Sequence, residues 1–300
     1  MLKHPVLQPN EKTPLTRVAN LLGMAVLGYL ALGGLLGWLQ EAFAPPMGPV
    51  GQTALSLVRY ACALLLPFGL AGRSLRGVMP ACPRQAQPLP FKLGALLAGM
   101  GAACLGNLLA WLMQRGAAGL GVELASSGNV LSGGLLQDLL TFAGYSLLAA
   151  LVEEAVFRGT VLWALRPWGD GWAVVCSAVL FALCHASPLQ LAPALLTGLV
   201  LGTVAVSTGG IGLAVAVHTC YNAMAVLANR FAPTDPLPVV GFWLGMTAMG
   251  LCALPLLVQG WKRRRPKHKP LTHHDFYTAP VLMFGAAVLA LRLLAACLPG

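Results

Sequence analysis

About nine apolar runs follow one another along this chain, several of them about 20 residues long, the length an α-helix needs to cross the hydrocarbon core of a bilayer. They are read as Val18–Leu39, Thr53–Leu70, Leu93–Met113, Leu139–Leu165, Trp172–His185, Leu189–Val206, Ile211–Ala228, Val239–Val258 and Ala279–Leu298. With 57% hydrophobic and only 9% charged residues, the chain lacks the polar side chains that a soluble fold of this size needs for its surface. A closed β-barrel is the other structure that lipid permits, and its alternating pattern is absent. The fold class is therefore all-α, a polytopic integral membrane protein with about eight to nine transmembrane helices.

The first run follows Lys3, Lys12 and Arg17, and Ala42-Phe43-Ala44 imitates a signal-peptide cleavage site. The apolar core of a signal peptide is about 7 to 15 residues; this run is longer and reads as an uncleaved first helix. Pro45, Pro46 and Pro49 mark a loop after it, and Arg115 to Leu135 reads as a Gly- and Ser-rich connection. Pro167 stops the fourth run, and the fifth is short, broken at Ser187-Pro188. A helix interrupted at membrane depth is tolerated where it lines a cavity or packs against protein. The organisation expected is an N-terminal set of three helices over 1–138, a core over 139–228, and C-terminal helices with a basic loop over 229–300.

The net charge of +10 does not indicate a nucleic-acid partner, because the basic residues sit at the ends of apolar runs and form no aromatic-interleaved face. They act as topology signals. With the N-terminus cytoplasmic, 14 of the 19 Lys and Arg fall on the cytoplasmic side: Lys3, Lys12, Arg17, Arg73, Arg76, Arg84, Lys92, Arg166 and the six between Lys262 and Lys269. Arg115, Arg230 and Arg292 fall outside, and Arg59 and Arg158 within spans. The positive-inside rule thus supports nine crossings, N-terminus in and C-terminus out. The location expected is the inner membrane of a bacterial cell. Eight cysteines form no CxxC pair, which argues against a zinc ribbon or disulfide scaffold and leaves them as small buried packing residues.

Leu151-Val152-Glu153-Glu154-Ala155-Val156-Phe157-Arg158-Gly159 places three ionisable side chains midway along the fourth run. A charge at the bilayer centre costs about 3 kcal/mol on insertion scales, so such residues face a protein interior or a wet cavity. Glu154 and Arg158 are four apart and share a helical face, which suits an ion pair; Glu153, about 100° away, is left for chemistry. The fifth and seventh segments carry histidine, in Phe181-Ala182-Leu183-Cys184-His185 and in His218-Thr219-Cys220-Tyr221-Asn222, where His218 and Asn222 share a face. Glu153, His185 and His218 can all reach one central depth. A carboxylate that takes a proton from water, a histidine that orients it and a donor to the oxyanion together make a site for peptide hydrolysis.

In order and on successive membrane segments, Glu153-Glu154-x-x-x-Arg158, Phe181-x-x-x-His185 and His218-x-x-x-Asn222 resemble the three motifs of the CPBP family of intramembrane proteases, which includes the type II CAAX prenyl endopeptidases. The resemblance covers roughly 139–228. It implies that Glu153 and His185 activate the attacking water, that His218 and Asn222 stabilise the oxyanion, and that Glu154 and Arg158 form the supporting ion pair. The partner it implies is a membrane-anchored protein or peptide substrate in the bilayer. The resemblance also carries a metal-dependent alternative, for which Glu153, His185 and His218 supply a His₂Glu zinc donor set. The metal-free glutamic mechanism is preferred, since no HExxH occurs and the spacing demands no cofactor.

The rival readings are a structural ion network that pins helices together, a proton-coupled transporter or channel using Glu, His and Arg as a relay, and a non-catalytic protein like those conferring bacteriocin immunity. Repeats in matching halves, which would favour transport, are absent. Cys184 and Cys220 sit on helix faces other than those of the histidines beside them. His273-His274-Asp275 lies in a basic polar loop, where solvation is the ordinary role, and Arg292 reads as a side chain reaching toward the outer interface.

Overall fold

Helices account for all the regular structure that the sequence led us to expect, and among the described residues there is no strand. The computed structural model describes residues 15–43, 47–80, 84–124, 131, 134–230, 236–263 and 274–297. In chain order the helices are α1 (Leu15–Phe43), α2 (Pro49–Leu75), α3 (Leu89–Gly119), α4 (Leu135–Trp168), α5 (Asp170–Cys184), α6 (Pro188–Thr208), α7 (Gly212–Arg230), α8 (Pro236–Arg263) and α9 (Pro280–Ala295), with a short helical turn at His274–Tyr277 before α9. Lys3, Lys12, Pro45, Pro46, the basic residues from Arg264 to Lys269, and His273 lie outside the described residues.

Local chemistry sets the helix ends. Proline occupies the first turn of α2, α3, α6 and α9, where its missing N–H leaves no hydrogen bond unmade and its fixed φ already suits a helix. Gly209 ends α6 in the left-handed region at φ 69°, its N–H bonded to the Ala205 carbonyl. Gly169, at φ 130°, makes the abrupt turn between α4 and α5.

Six helices, α1 to α4, α6 and α8, are long and apolar enough to cross a membrane; α5, α7 and α9 are shorter apolar helices. All nine apolar runs thus form helices, with different boundaries. The third extends to Gly119, so Arg115 belongs to a helix rather than to the connection, its guanidinium 5.4 Å from the centre of the Trp111 ring. The cysteines divide. Cys104 and Cys184 are buried as expected, whereas Cys220 and Cys252 are exposed, because small side chains also suit an apolar face turned to lipid.

Two groups of buried side chains hold the bundle. Leu22, Phe68, Phe157 and Phe181 join α1, α2, α4 and α5; Phe91, Ala98, Leu201, Val217 and Leu257 join α3, α6, α7 and α8. Lipid is as apolar as leucine, so close approach of backbones contributes much of the helix association. A Cβ on Gly101 would lie 2.7 Å from the Gly250 Cα, and one on Gly106 only 2.3 Å from the Pro193 Cα.

Contacts between connections assign them to two ends. Gln85 N–H donates to the Thr208 carbonyl and Gln87 Nε2 to the Ser207 carbonyl, so the α2–α3 connection lies on the α6–α7 turn. A Cβ on Gly171, at the start of α5, would lie 4.0 Å from Trp261 near the end of α8. Val281 N–H donates to Asn20 Oδ1 at 3.1 Å, which sets the start of α9 beside the start of α1. At the opposite end, Gln137 Nε2 of α4 donates to Thr53 Oγ1 of α2 at 2.7 Å.

Candidate active site

α4 is not a uniform α-helix. The α-helical turns of Ala149–Val156, which carry both glutamates, are flanked by π-helical segments at Gly144–Leu148 and Phe157–Leu162. Such widened turns recur at functional sites, and here a side chain from another helix pins each one. Asn222 Nδ2 of α7 donates to the Tyr145 carbonyl at 3.1 Å, and Ser177 Oγ of α5 donates to the Phe157 carbonyl at 2.8 Å.

Glu154 and Arg158 form the ion pair expected from their spacing, at 2.7 Å with both side chains fully buried. Arg158 Nη2 also donates to the Gly198 carbonyl of α6 at 3.1 Å, and its guanidinium lies 4.6 Å from the centre of the Phe181 ring. Burying a charge in this way is tolerable only with partners on several sides, and α4, α5 and α6 each contribute one.

His218 stands between the two glutamates. Its Nδ1 is 2.8 Å from Glu154 Oε1 and its Nε2 is 3.5 Å from Glu153 Oε2. A ring nitrogen facing a carboxylate at the shorter distance carries the proton, so Nδ1–H donates to Glu154. The 3.5 Å separation is too long for a good direct bond. Tyr221, one turn along α7, stacks on the His218 ring with centroids 4.7 Å apart. Glu153 Oε1 accepts a hydrogen bond from the Tyr60 hydroxyl of α2, and Glu153 Oε2 is buried with no hydrogen-bond partner.

His185 lies just past the end of α5, its Nδ1 2.8 Å from the Phe181 carbonyl. A carbonyl only accepts, so the proton is on Nδ1 and Nε2 keeps its lone pair. Phe181 meets the His185 ring edge-on, centroids 4.7 Å apart. It therefore touches His185 and Arg158 and lies 6.0 Å, centroid to centroid, from His218.

Glu153, His185, His218 and Asn222 all line one cavity of about 1070 Å³. Glu154 and Arg158 lie behind its wall. The sequence pointed to a cavity among the fourth, fifth and seventh helices; α2, α3 and α6 also contribute to the wall, through residues such as Arg59, Asn107 and Thr197. Tyr60, and Tyr29, whose hydroxyl donates to the Cys184 carbonyl at 3.3 Å, are the residues that sequence reasoning missed. An aromatic residue inside an apolar run carries no signal of its own, and only the packing of α1 and α2 on the core reveals them.

Residues 135–224 match the family described as type II CAAX prenyl endopeptidase Rce1-like. The match supports the likeness of this segment to the core of the CPBP family. It takes in the three motifs and leaves Tyr29 and Tyr60 outside. The family is one of proteases, and the apolar helices make the chain a multi-pass membrane protein. No curated protein and no solved structure matches the chain.

A zinc ion would need three donors grouped around one point. Among the described residues no three His, Cys, Asp or Glu side chains are so grouped. The donor set does not fit a zinc site as placed.

Proposed function

We propose that this chain is an intramembrane endopeptidase, resident in a bacterial inner membrane, that hydrolyses a peptide bond in a membrane-associated protein or peptide. The observation that carries this reading is that Glu153 and His185 line one cavity and each keeps an unengaged acceptor: Glu153 Oε2, without a hydrogen-bond partner among the described residues, and His185 Nε2, on a ring turned by the Phe181 carbonyl. Both are acceptors, and a water molecule offers two hydrogens. Held between them, the water keeps its lone pair for the scissile carbonyl, and Glu153 takes the proton as the bond to carbon forms.

The tetrahedral oxyanion then needs donors. Asn222 gives one amide hydrogen to the Tyr145 carbonyl and keeps the other for this task. His218 Nε2 is a donor in the form of the ring that carries both protons. Collapse of the intermediate expels the amine, which takes the proton from Glu153, and the carboxylate is regenerated. Glu154 and Arg158 touch no reacting atom in this scheme: they fix His218 and the turn that bears Glu153.

Purified protein in liposomes, given internally quenched peptides with and without a C-terminal prenylcysteine tail, tests the reading. Cleavage by the wild type, absent in Glu153→Gln and His185→Gln, is the expected result. Wild-type rates in Glu153→Gln would contradict it.

A further inference from the structure

The two ends of the bundle differ in charge, and among the described residues the cavity lining extends to one of them. Arg17 near the start of α1, Arg73 and Arg76 at the end of α2, Arg84 and Lys92 before and within the start of α3, Arg166 near the end of α4 and Lys262 near the end of α8 all belong to the end where the α2–α3 connection rests on the α6–α7 turn. Arg84 reaches that turn directly, 3.6 Å from where a Cβ on Gly210 would lie. The other end has Arg115, Arg230 and Arg292 near helix termini, set against Glu41, Glu123 and Asp138, while the basic end also holds Asp170, paired with Arg166 at 2.6 Å.

The cavity runs from Glu153 and His218 toward this second end. Its lining includes Pro49 and Gln52 at the start of α2, Gln114 near the end of α3, Gln137 near the start of α4 and Ala228 near the end of α7. Among the described residues, none at the basic end lines it. Lys and Arg accumulate on the cytoplasmic side of membrane proteins.

From this juxtaposition we infer that the cavity opens away from the cytoplasm, so that the substrate is a membrane-anchored or membrane-entering peptide presented at the outer face, not a cytoplasmic tail. The inference rests on the proposed peptidase activity for its word "substrate" and on charge and cavity placement for its direction. It separates two peptide classes that the site chemistry alone would treat alike. An exported segment approaches Glu153 from the end where α2, α3 and α4 line the cavity, whereas a cytoplasmic one approaches from the basic end.

α9 runs parallel to α1, because Val281 lies on Asn20 and a Cβ on Gly285 would meet Val26 at 3.3 Å; the C-terminus of α9 therefore lies at the cavity's end. In a bacterial host, full-length protein fused at its C-terminus to alkaline phosphatase, which is active only outside the cytoplasm, is compared with the same chain fused to green fluorescent protein, which fluoresces only inside. Peptides are collected from the medium and the cytosol of cells with the intact chain and with Glu153→Gln. The expected result is an active phosphatase, a dark fluorescent fusion, and Glu153-dependent peptides in the medium. A fluorescent fusion with an inactive phosphatase, or Glu153-dependent peptides confined to the cytosol, overturns the inference. An active phosphatase with no Glu153-dependent peptide in either fraction leaves the direction of the cavity standing and refutes the peptidase reading.

Discussion

His218 Nδ1 sits 2.8 Å from Glu154 Oε1, the same oxygen that Arg158 Nη1 approaches at 2.7 Å from the other side. One carboxylate oxygen thus ties α7 to an ion pair within α4. Glu154→Gln leaves the Arg158 guanidinium buried without its counter-charge, which costs about 3–5 kcal/mol. Thermal unfolding in detergent should show a marked loss for Glu154→Gln or Arg158→Met alone, and a smaller loss for the two together than their sum.

Tyr60 donates to one oxygen of Glu153 and so leaves the other for water. Removing a hydrogen bond to a charged group costs about ten- to a hundredfold in the step that depends on it. Tyr60→Phe should lower kcat by that order with KM nearly unchanged, read on whichever peptide the wild type cleaves. A rise in KM at constant kcat would mean that the hydroxyl binds peptide instead.

His185 is partly exposed to the cavity, and His218 is buried at 2% exposure. Replacing His185 with Gln should therefore reduce turnover by about 10²–10⁴-fold and leave the unfolding midpoint near that of the wild type. His218→Gln should lower both. Parallel turnover and melting measurements separate the two.

Gly106 packs its Cα face on Pro193, where an added methyl would meet backbone rather than a movable side chain. Gly106→Ala should push α3 and α6 apart at a cost of about 1–3 kcal/mol, and Pro193, Ala194 and Thr197 on the same stretch of α6 line the cavity. The melting midpoint and the turnover should fall together.

The apolar runs and the four-residue spacings were readable in the chain because both are local and periodic. They yielded the helices and the Glu154–Arg158 pair. Spacing was less informative for His218 and Asn222: they share a face, yet His218 turns to the glutamates and Asn222 gives one hydrogen to the Tyr145 carbonyl. The π-helical turns on either side of Ala149–Val156 also escaped, since an angular count of 100° per residue assumes an unbroken α-helix. The hydrogen bond from Tyr60 to Glu153 was not legible, because it comes from a helix about 90 positions earlier, at a separation no local pattern reports. Span length was overestimated for α9, read as Ala279–Leu298 and found as Pro280–Ala295, whereas α5 was already read as short and α7 begins and ends within two residues of its apolar run.

The central claim is that Glu153 is the base. Its most direct test compares the membrane peptidomes of cells that carry the intact chain, Glu153→Gln and Glu154→Gln, with protein abundance measured by blot. The expected result is a set of peptides present with the intact chain and lost in Glu153→Gln at undiminished abundance, while Glu154→Gln loses protein along with products. An unchanged peptidome with Glu153→Gln at normal abundance would show that Glu153 is not the base.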